Sequence, residues 1–141
     1  MDVNSLDRFI EAQERIYTDA LSEIRNGMKR SHWMWFVFPQ LRGLGYSSMA
    51  HIYGIAGLDE AKAYLKHPVL SARLIEICKA LLVLKDKKPE DIFGRVDAMK
   101  LRSSMTLFAL VSEDNSVFHR VLQQFYNGNM DEKTLELVRK V

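Results

Sequence analysis

Thiols are nearly missing from this chain: Cys78 is its one cysteine. No intramolecular disulfide can form, no cysteine-based zinc cluster can be built, and nothing points to an oxidising compartment. Cys78 sits in the apolar run 74–82, with no histidine or helix start nearby to activate a thiolate. It therefore reads as a small buried hydrophobe. Apolar runs are short too, and none approaches the ~18 residues a membrane span needs. The first residues are polar and acidic, unlike the charged start and apolar stretch of a secretory leader, so a cytoplasmic location is expected. Charge of neither sign dominates, since 20 Lys and Arg stand against 18 Asp and Glu, a net charge of +2. A dedicated nucleic-acid binder shows a stronger imbalance, so nucleic acid is not an expected partner, although a local anion site is compatible with this balance.

The usual catalytic signatures are missing as well. His32, His51, His67 and His119 lack the close pairing of a metal-binding helix, so neither a metal nor a cofactor is expected. No serine sits in a G-x-S-x-G elbow, and no glycine loop ends in Lys-Ser or Lys-Thr. Gly43-Leu44-Gly45 is only a fragment of a dinucleotide fingerprint, and no strand precedes it.

What is present is helical periodicity. A length of 141 residues suits one domain spanning 1–141 with one core and no need of covalent staples. Residues 5–26 place Leu6, Phe9, Ile10, Ile16, Tyr17, Ala20, Leu21 and Ile24 at steps of three and four, predicting one amphipathic helix. Asn4 is its expected cap and Gly27 its left-handed stop. A short helix is expected from Ser31 to just before Pro39, then a glycine-containing loop over 41–46. Further helices follow from Ser47 or Ser48 to about Tyr53, over 58–66, and from Pro68 to about Leu84. A turn at 90–93 precedes helices at about 97–111, 116–126 (capped by Asn115, stopped by Gly128) and 131–140. The fold class is all-α, seven or eight mostly short helices around one core.

Two constellations carry chemical interest. The first is Lys29-Arg30-Ser31-His32-Trp33-Met34-Trp35-Phe36-Val37-Phe38-Pro39-Gln40, which holds both tryptophans of the chain. Cations beside aromatic faces can hold an anionic, ring-bearing ligand: Trp33 or Trp35 stacks, Lys29 or Arg30 neutralises charge, and His32 or Gln40 sets hydrogen-bond specificity. Gly43 and Gly45 would let backbone approach such a ligand, and the helix start at Ser47 and Ser48 would offer free N–H groups. Equally, the aromatics are core and the cations a solvated helix end. The second constellation is Lys100-Leu101-Arg102-Ser103-Ser104-Met105-Thr106, a polar knot in an otherwise apolar helix. Ala98, Arg102, Thr106 and Ala109 share a face of small residues from which one guanidinium projects. Arg102 suits either an anion or a buried ion pair with Asp7, Glu11 or Glu60. The hydroxyls of Ser103, Ser104 and Thr106 suit bonds to the preceding helical turn.

The motif from Arg30 to Gln40, followed by Gly43-Leu44-Gly45, resembles the signature of the bacterial family catalogued as domain of unknown function 1810. Leu58-Asp59-Glu60-Ala61, Tyr64-Leu65, His67-Pro68-Val69-Leu70 and Lys100 to Phe108 are similar to its later motifs, in order. The resemblance covers nearly the whole chain and implies a small single-domain all-α fold, with no particular reaction, ligand or catalytic residue. An inhibitor of the calpastatin type, a label sometimes attached to the family, would be poor in aromatics and disordered, whereas this chain is patterned for a core.

The functional expectation is a pocket for a small anion, such as a nucleotide or phosphometabolite. It would join the stretch from His32 to Gln40 (Arg30, His32, Trp33, Trp35, Gln40) to Arg102, Ser103 and Ser104. Were it catalytic, His32 is the candidate general acid–base, with Ser103 or Ser104 orienting substrate. The alternative is a protein-interaction module using exposed aromatics or the basic last helix with Arg139 and Lys140.

Overall fold

The computed structural model describes residues 5–140. The expected helix over 5–26 is two helices, α1 (Asp7–Glu14) and α2 (Tyr17–Arg25). The break has a side-chain cause, because the residues flanking it are drawn to different neighbours. Gln13 Nε2 donates to the Phe36 carbonyl at 2.7 Å and to the Tyr64 hydroxyl at 3.1 Å. Tyr17 instead donates its hydroxyl to the Arg73 carbonyl at 2.9 Å and to Glu76 at 2.6 Å. Burial and the Glu76 carboxylate both push the Tyr17 hydroxyl up, so it stays a donor. Asn4, the expected cap, lies outside the described residues. Gly27 closes α2 at φ 78°, a conformation that disfavours any side chain.

The aromatic stretch forms one helical turn, α3 (Met34–Val37). The loop after it is pinned by a parallel bridge between Leu41 and Ile55, in which Ile55 N donates to Gln40 O and Arg42 N to Ile55 O. Between these partners lies α4 (Ser48–Ile52), whose start is capped by the Ser47 hydroxyl accepting from Ala50 N. Then come α5 (Leu58–Lys66) and α6 (Pro68–Val83), with Pro68 as the first helical residue and the His67 ring accepting from Val69 N.

The turn and helix expected on either side of Gly94 meet end to end as α7 (Pro89–Leu110), kinked where Gly94 takes φ 78° and ψ 171°. Ser116, not Asn115, caps α8 (Val117–Tyr126), and Asn127 at φ 55° and the expected Gly128 at φ 78° together make its left-handed stop. In α9 (Glu132–Lys140) the first turn is held by Asp131, whose carboxylate accepts from Thr134 N and Thr134 Oγ1. Among the described residues there are nine helices and no strand, and no helix is long and apolar enough to cross a membrane.

Helices α6 and α7 occupy the centre: α6 packs on α2, α5 and α8, and α7 on α5, α8 and α9. Their inward faces meet in one continuous core, where the Cys78 thiol lies 3.7 Å from Met105 sulfur. Burial pushes that thiol well above its ordinary value, which leaves it protonated and unreactive.

The buried ion pair of the fold belongs to Arg8, not to Arg102. Arg8 has no solvent exposure. Its guanidinium donates to both oxygens of Glu60 and to the carbonyls of Ser5, Ile52 and Gly54, and it lies 4.3 Å from the Phe9 ring centroid. One side chain thus ties α1 to the end of α4 and to the first turn of α5. Replacing it by Met removes the paired cation from Glu60, which keeps only the Ala56 N–H, and takes the guanidinium donors from three carbonyls, a loss of about 3–5 kcal/mol. Urea denaturation of Arg8→Met should show that loss as an early midpoint with an unchanged slope.

Candidate functional site

The stretch between α2 and α3 has little regular structure of its own, and a carboxylate organises it. Glu23 accepts from the backbone N–H of Arg30 and Ser31, the Ser31 hydroxyl and the Trp33 indole, all at 2.6–2.9 Å. With its one polar atom satisfied, Trp33 is 0% exposed and packs on Phe38 and Phe93. Partial burial alone raises the Glu23 pKa, but the donors from Ser31, Arg30 and Trp33 outweigh it and hold the carboxyl at about 2.

Lys29 lies across the other side of this indole, 5.0 Å from its centroid, and pairs with Asp97 at 2.9 Å. Asp97 also pairs with Lys100 at 3.5 Å. The Lys100 ammonium stands 3.6 Å from the centroid of the Trp35 ring, close enough for a strong cation–π contact. A charge chain of Lys29, Asp97 and Lys100 therefore connects the two tryptophans, one sealed in the core and one at a surface.

Trp35 and Lys100 open onto a cavity of about 260 Å³ between α3, the 40–45 loop, α7 and the start of α9. Gln40, Gly45 and Ser103 line it, Asp131 and Lys133 stand at the α9 side, and Val96 and Met99 contribute apolar surface. Val96 and Met99 are 64% and 67% exposed. Gly45 is required by Ala50 rather than by the ring: a Cβ there would stand a tight 3.0 Å from Ala50 Cβ and an ordinary 3.9 Å from the Trp35 edge. Gln40 is 9% exposed, and among the described residues nothing hydrogen-bonds its side-chain amide, although its backbone carbonyl is used by Ile55. Its amide atoms still reach solvent, so water or a ligand can serve them. Two ammonium groups, an indole face and an uncommitted amide give the cavity the means to hold a planar anion.

Trp35, Gln40 and Ser103, from the two separate sequence motifs, thus share one cavity. The remaining candidates lie outside it. Trp33 is enclosed and presents no face to solvent. Arg30 and His32 are exposed on the preceding loop, where Arg30 contributes its backbone N–H to Glu23. Arg102 faces a different concavity with Glu90, Arg95 and Tyr126. Its guanidinium donates to the carbonyls of Asn129 at 2.9 Å and Met130 at 3.0 Å, clasping the link from α8 to α9. Ser103 and Thr106 donate to the carbonyls of Met99 and Arg102 one turn earlier. The Ser104 hydroxyl is fully buried and has no partner among the described residues. Helix α4 is only five residues long, and the Ser47 hydroxyl occupies its start. Among the described residues no three of His, Cys, Asp or Glu converge in a set that could hold a metal ion.

Sequence reasoning missed Glu23, Asp97, Lys100 as a site residue, Asp131 and Lys133. Lys100 carried a signal, because it stands one turn from Val96 and one residue from Met99 at the edge of the polar knot. The other four look like ordinary solvated charges until the fold brings them to an indole or a helix end.

The molecule is a small all-α domain with a shallow, cationic, indole-floored cavity. Residues 3–138 match the family described as a protein of unknown function, DUF1810, and the chain belongs to that family. It is similar to the conserved hypothetical protein Rv1873 from Mycobacterium tuberculosis, whose crystal structure superposes with a TM-score of 0.94 at 46% identity. That match covers 98% of this chain and 99% of the other. No curated protein matches.

The Glu23 carboxylate has a pH signature. Its folded pKa of about 2 lies below the ordinary 4.5, so its contribution is fully present above pH 4.5 and fades as pH falls from there towards 2. Glu23→Gln should lose about 1.5–3 kcal/mol at neutral pH, the scale of hydrogen bonds to a charged group. Thermal melts of both proteins across this range should show the gap narrowing only below about pH 4.5.

Proposed function

We propose that this chain binds a small anionic molecule carrying one planar ring in the Trp35–Gln40–Lys100 cavity. The observation that carries this reading is the Lys100 ammonium standing 3.6 Å over the Trp35 ring at a cavity that Gln40 also lines. The indole face takes the ring by stacking, Lys100 and Lys133 neutralise a carboxylate or phosphate, and Gln40 selects by hydrogen bonding. A ligand ring sliding onto Trp35 would displace the ammonium sideways, and Asp97 holds it near enough to pair with the ligand's charge. About 260 Å³ is below the ~300–1,000 Å³ of drug-sized sites, so a single ring with its acid group fits whole and a nucleotide only in part. No reaction follows from this arrangement, since His32 stands on another surface.

An interaction surface without ligand is the second reading, favoured by the exposure of Val96 and Met99 at the cavity mouth and of Tyr46, 97% exposed, beside Gly45. The two are separated by a thermal-shift series of aromatic carboxylates, nucleotides and sugar phosphates. At a hundred times its dissociation constant a true ligand adds about 2.7 kcal/mol. The shift should vanish in Lys100→Met and Gln40→Leu and persist in His32→Ala, which lies outside the cavity. If no compound shifts the melting temperature, or a shift survives Lys100→Met unchanged, the ligand reading fails.

A further inference from the structure

Helix α6 is apolar around most of its circumference, although only one face is needed for the core. Arg73, Glu76 and Lys79 are its three charged residues out of 16. Leu70, Leu74, Ile77, Cys78 and Leu81 are buried against the rest of the domain. The opposite face presents Ala72, Ile75, Glu76, Lys79, Ala80 and Val83 as a continuous stripe stepping by three and one. With Arg25 of α2 and Leu84 they line an open groove of about 630 Å³. Val83 is 75% exposed at its end. A helix with apolar residues on both faces normally has both covered.

The composition of this stripe indicates what covers it. We infer that a second copy of the chain does, through an antiparallel pairing of α6 with α6 about a two-fold axis. With the axis passing between positions 77 and 78, Ala72 of one copy meets Val83 of the other. Ile75 then meets Ala80, and Glu76 meets Lys79. Any helical stripe with this spacing can be folded onto itself, but the side chains need not agree. Here all three pairs do: both apolar pairs set a small residue against a larger one, and the polar pair sets an anion against a cation. A two-fold axis makes each pairing twice, as an isologous interface requires.

The charges at the groove are available for this. Glu76 uses one carboxylate oxygen for the Tyr17 hydroxyl and leaves the other uncommitted among the described residues. Lys79 and Arg25, both exposed, make no ion pair among the described residues. In the dimer the two Glu76 carboxylates come to rest among two Lys79 and two Arg25 side chains. The contact is essentially one helix pair with its flanks, at the small end of specific interfaces (below ~1,200 Å²), so association is weak and reversible.

Sedimentation equilibrium on the full chain from about 10 µM to about 1 mM spans the affinities such a contact supports. The mass should rise with concentration from monomer towards dimer and no further. Lys79 makes no ion pair within its own copy among the described residues, and Lys79→Glu places Glu76 against glutamate twice. It should weaken association by at least about tenfold. Glu76→Lys should do the same, with circular dichroism confirming that loss of the Tyr17 hydrogen bond leaves the helices intact. The doubly exchanged variant, Glu76→Lys with Lys79→Glu, should recover the dimer, because its charges again oppose. A mass that stays monomeric at the highest concentration overturns the proposal. So does association indifferent to Lys79→Glu, or not restored in the exchanged pair.

Discussion

The bond set around the Glu23 carboxylate is the constraint on which the distinctive half of this molecule depends. An indole with no exposed surface must find an acceptor for its N–H. Glu23, projecting from the last turns of α2, supplies one and gathers the Arg30 and Ser31 amides at the same time. The segment after Gly27 is thereby folded back on α2, Trp33 is driven inward, and α3 begins at Met34 with its register set. Register then decides which aromatics face which way: Phe36 and Phe38 join the core while Trp35, one position from Phe36 and three from Phe38, turns towards α7. Without the carboxylate, one aromatic block would have no reason to divide into an inner and an outer tryptophan.

Asp97 transmits that arrangement to the cavity. It lies on α7 between Lys29, which covers the inner indole, and Lys100, which covers the outer one. Two like charges are held close to aromatic faces only because an anion sits between them, so the position of Lys100 is inherited from the loop that Glu23 orders. Arg8 does equivalent work on the other side of the cavity loop, holding the end of α4 through the Ile52 and Gly54 carbonyls. The cavity walls are thus fixed by polar side chains outside it.

Much of the fold was legible because apolar spacing and caps agree over long segments. Pro68 starts α6 as its ring demands, Gly27 ends α2, and the apolar steps of 58–66 and 70–82 match the helices found. The break at Arg15 and Ile16 was not legible, since the apolar pattern runs straight through it and the cause lies in what Gln13 and Tyr17 reach across the core. Of the site, the sequence indicated the segments but not the sides. It marked the His32–Gln40 block and the Arg102 knot, and it could not tell which tryptophan is sealed or that Arg102 turns to the carbonyls of Asn129 and Met130. Those choices rest on tertiary contacts of lone charged residues, which have no periodicity to read.

The unequal fates of the two tryptophans give the molecule a pair of built-in optical probes. Trp33, dry and bonded to a carboxylate, emits as an indole in a rigid apolar medium and is shielded from dissolved quenchers. Trp35, half-buried beneath an ammonium, senses both solvent and whatever approaches Lys100. Since the chain contains no other indole, its emission spectrum is the sum of one signal from the core and one from the cavity. Unfolding brings both indoles into water, whereas a change confined to the cavity reaches Trp35 alone.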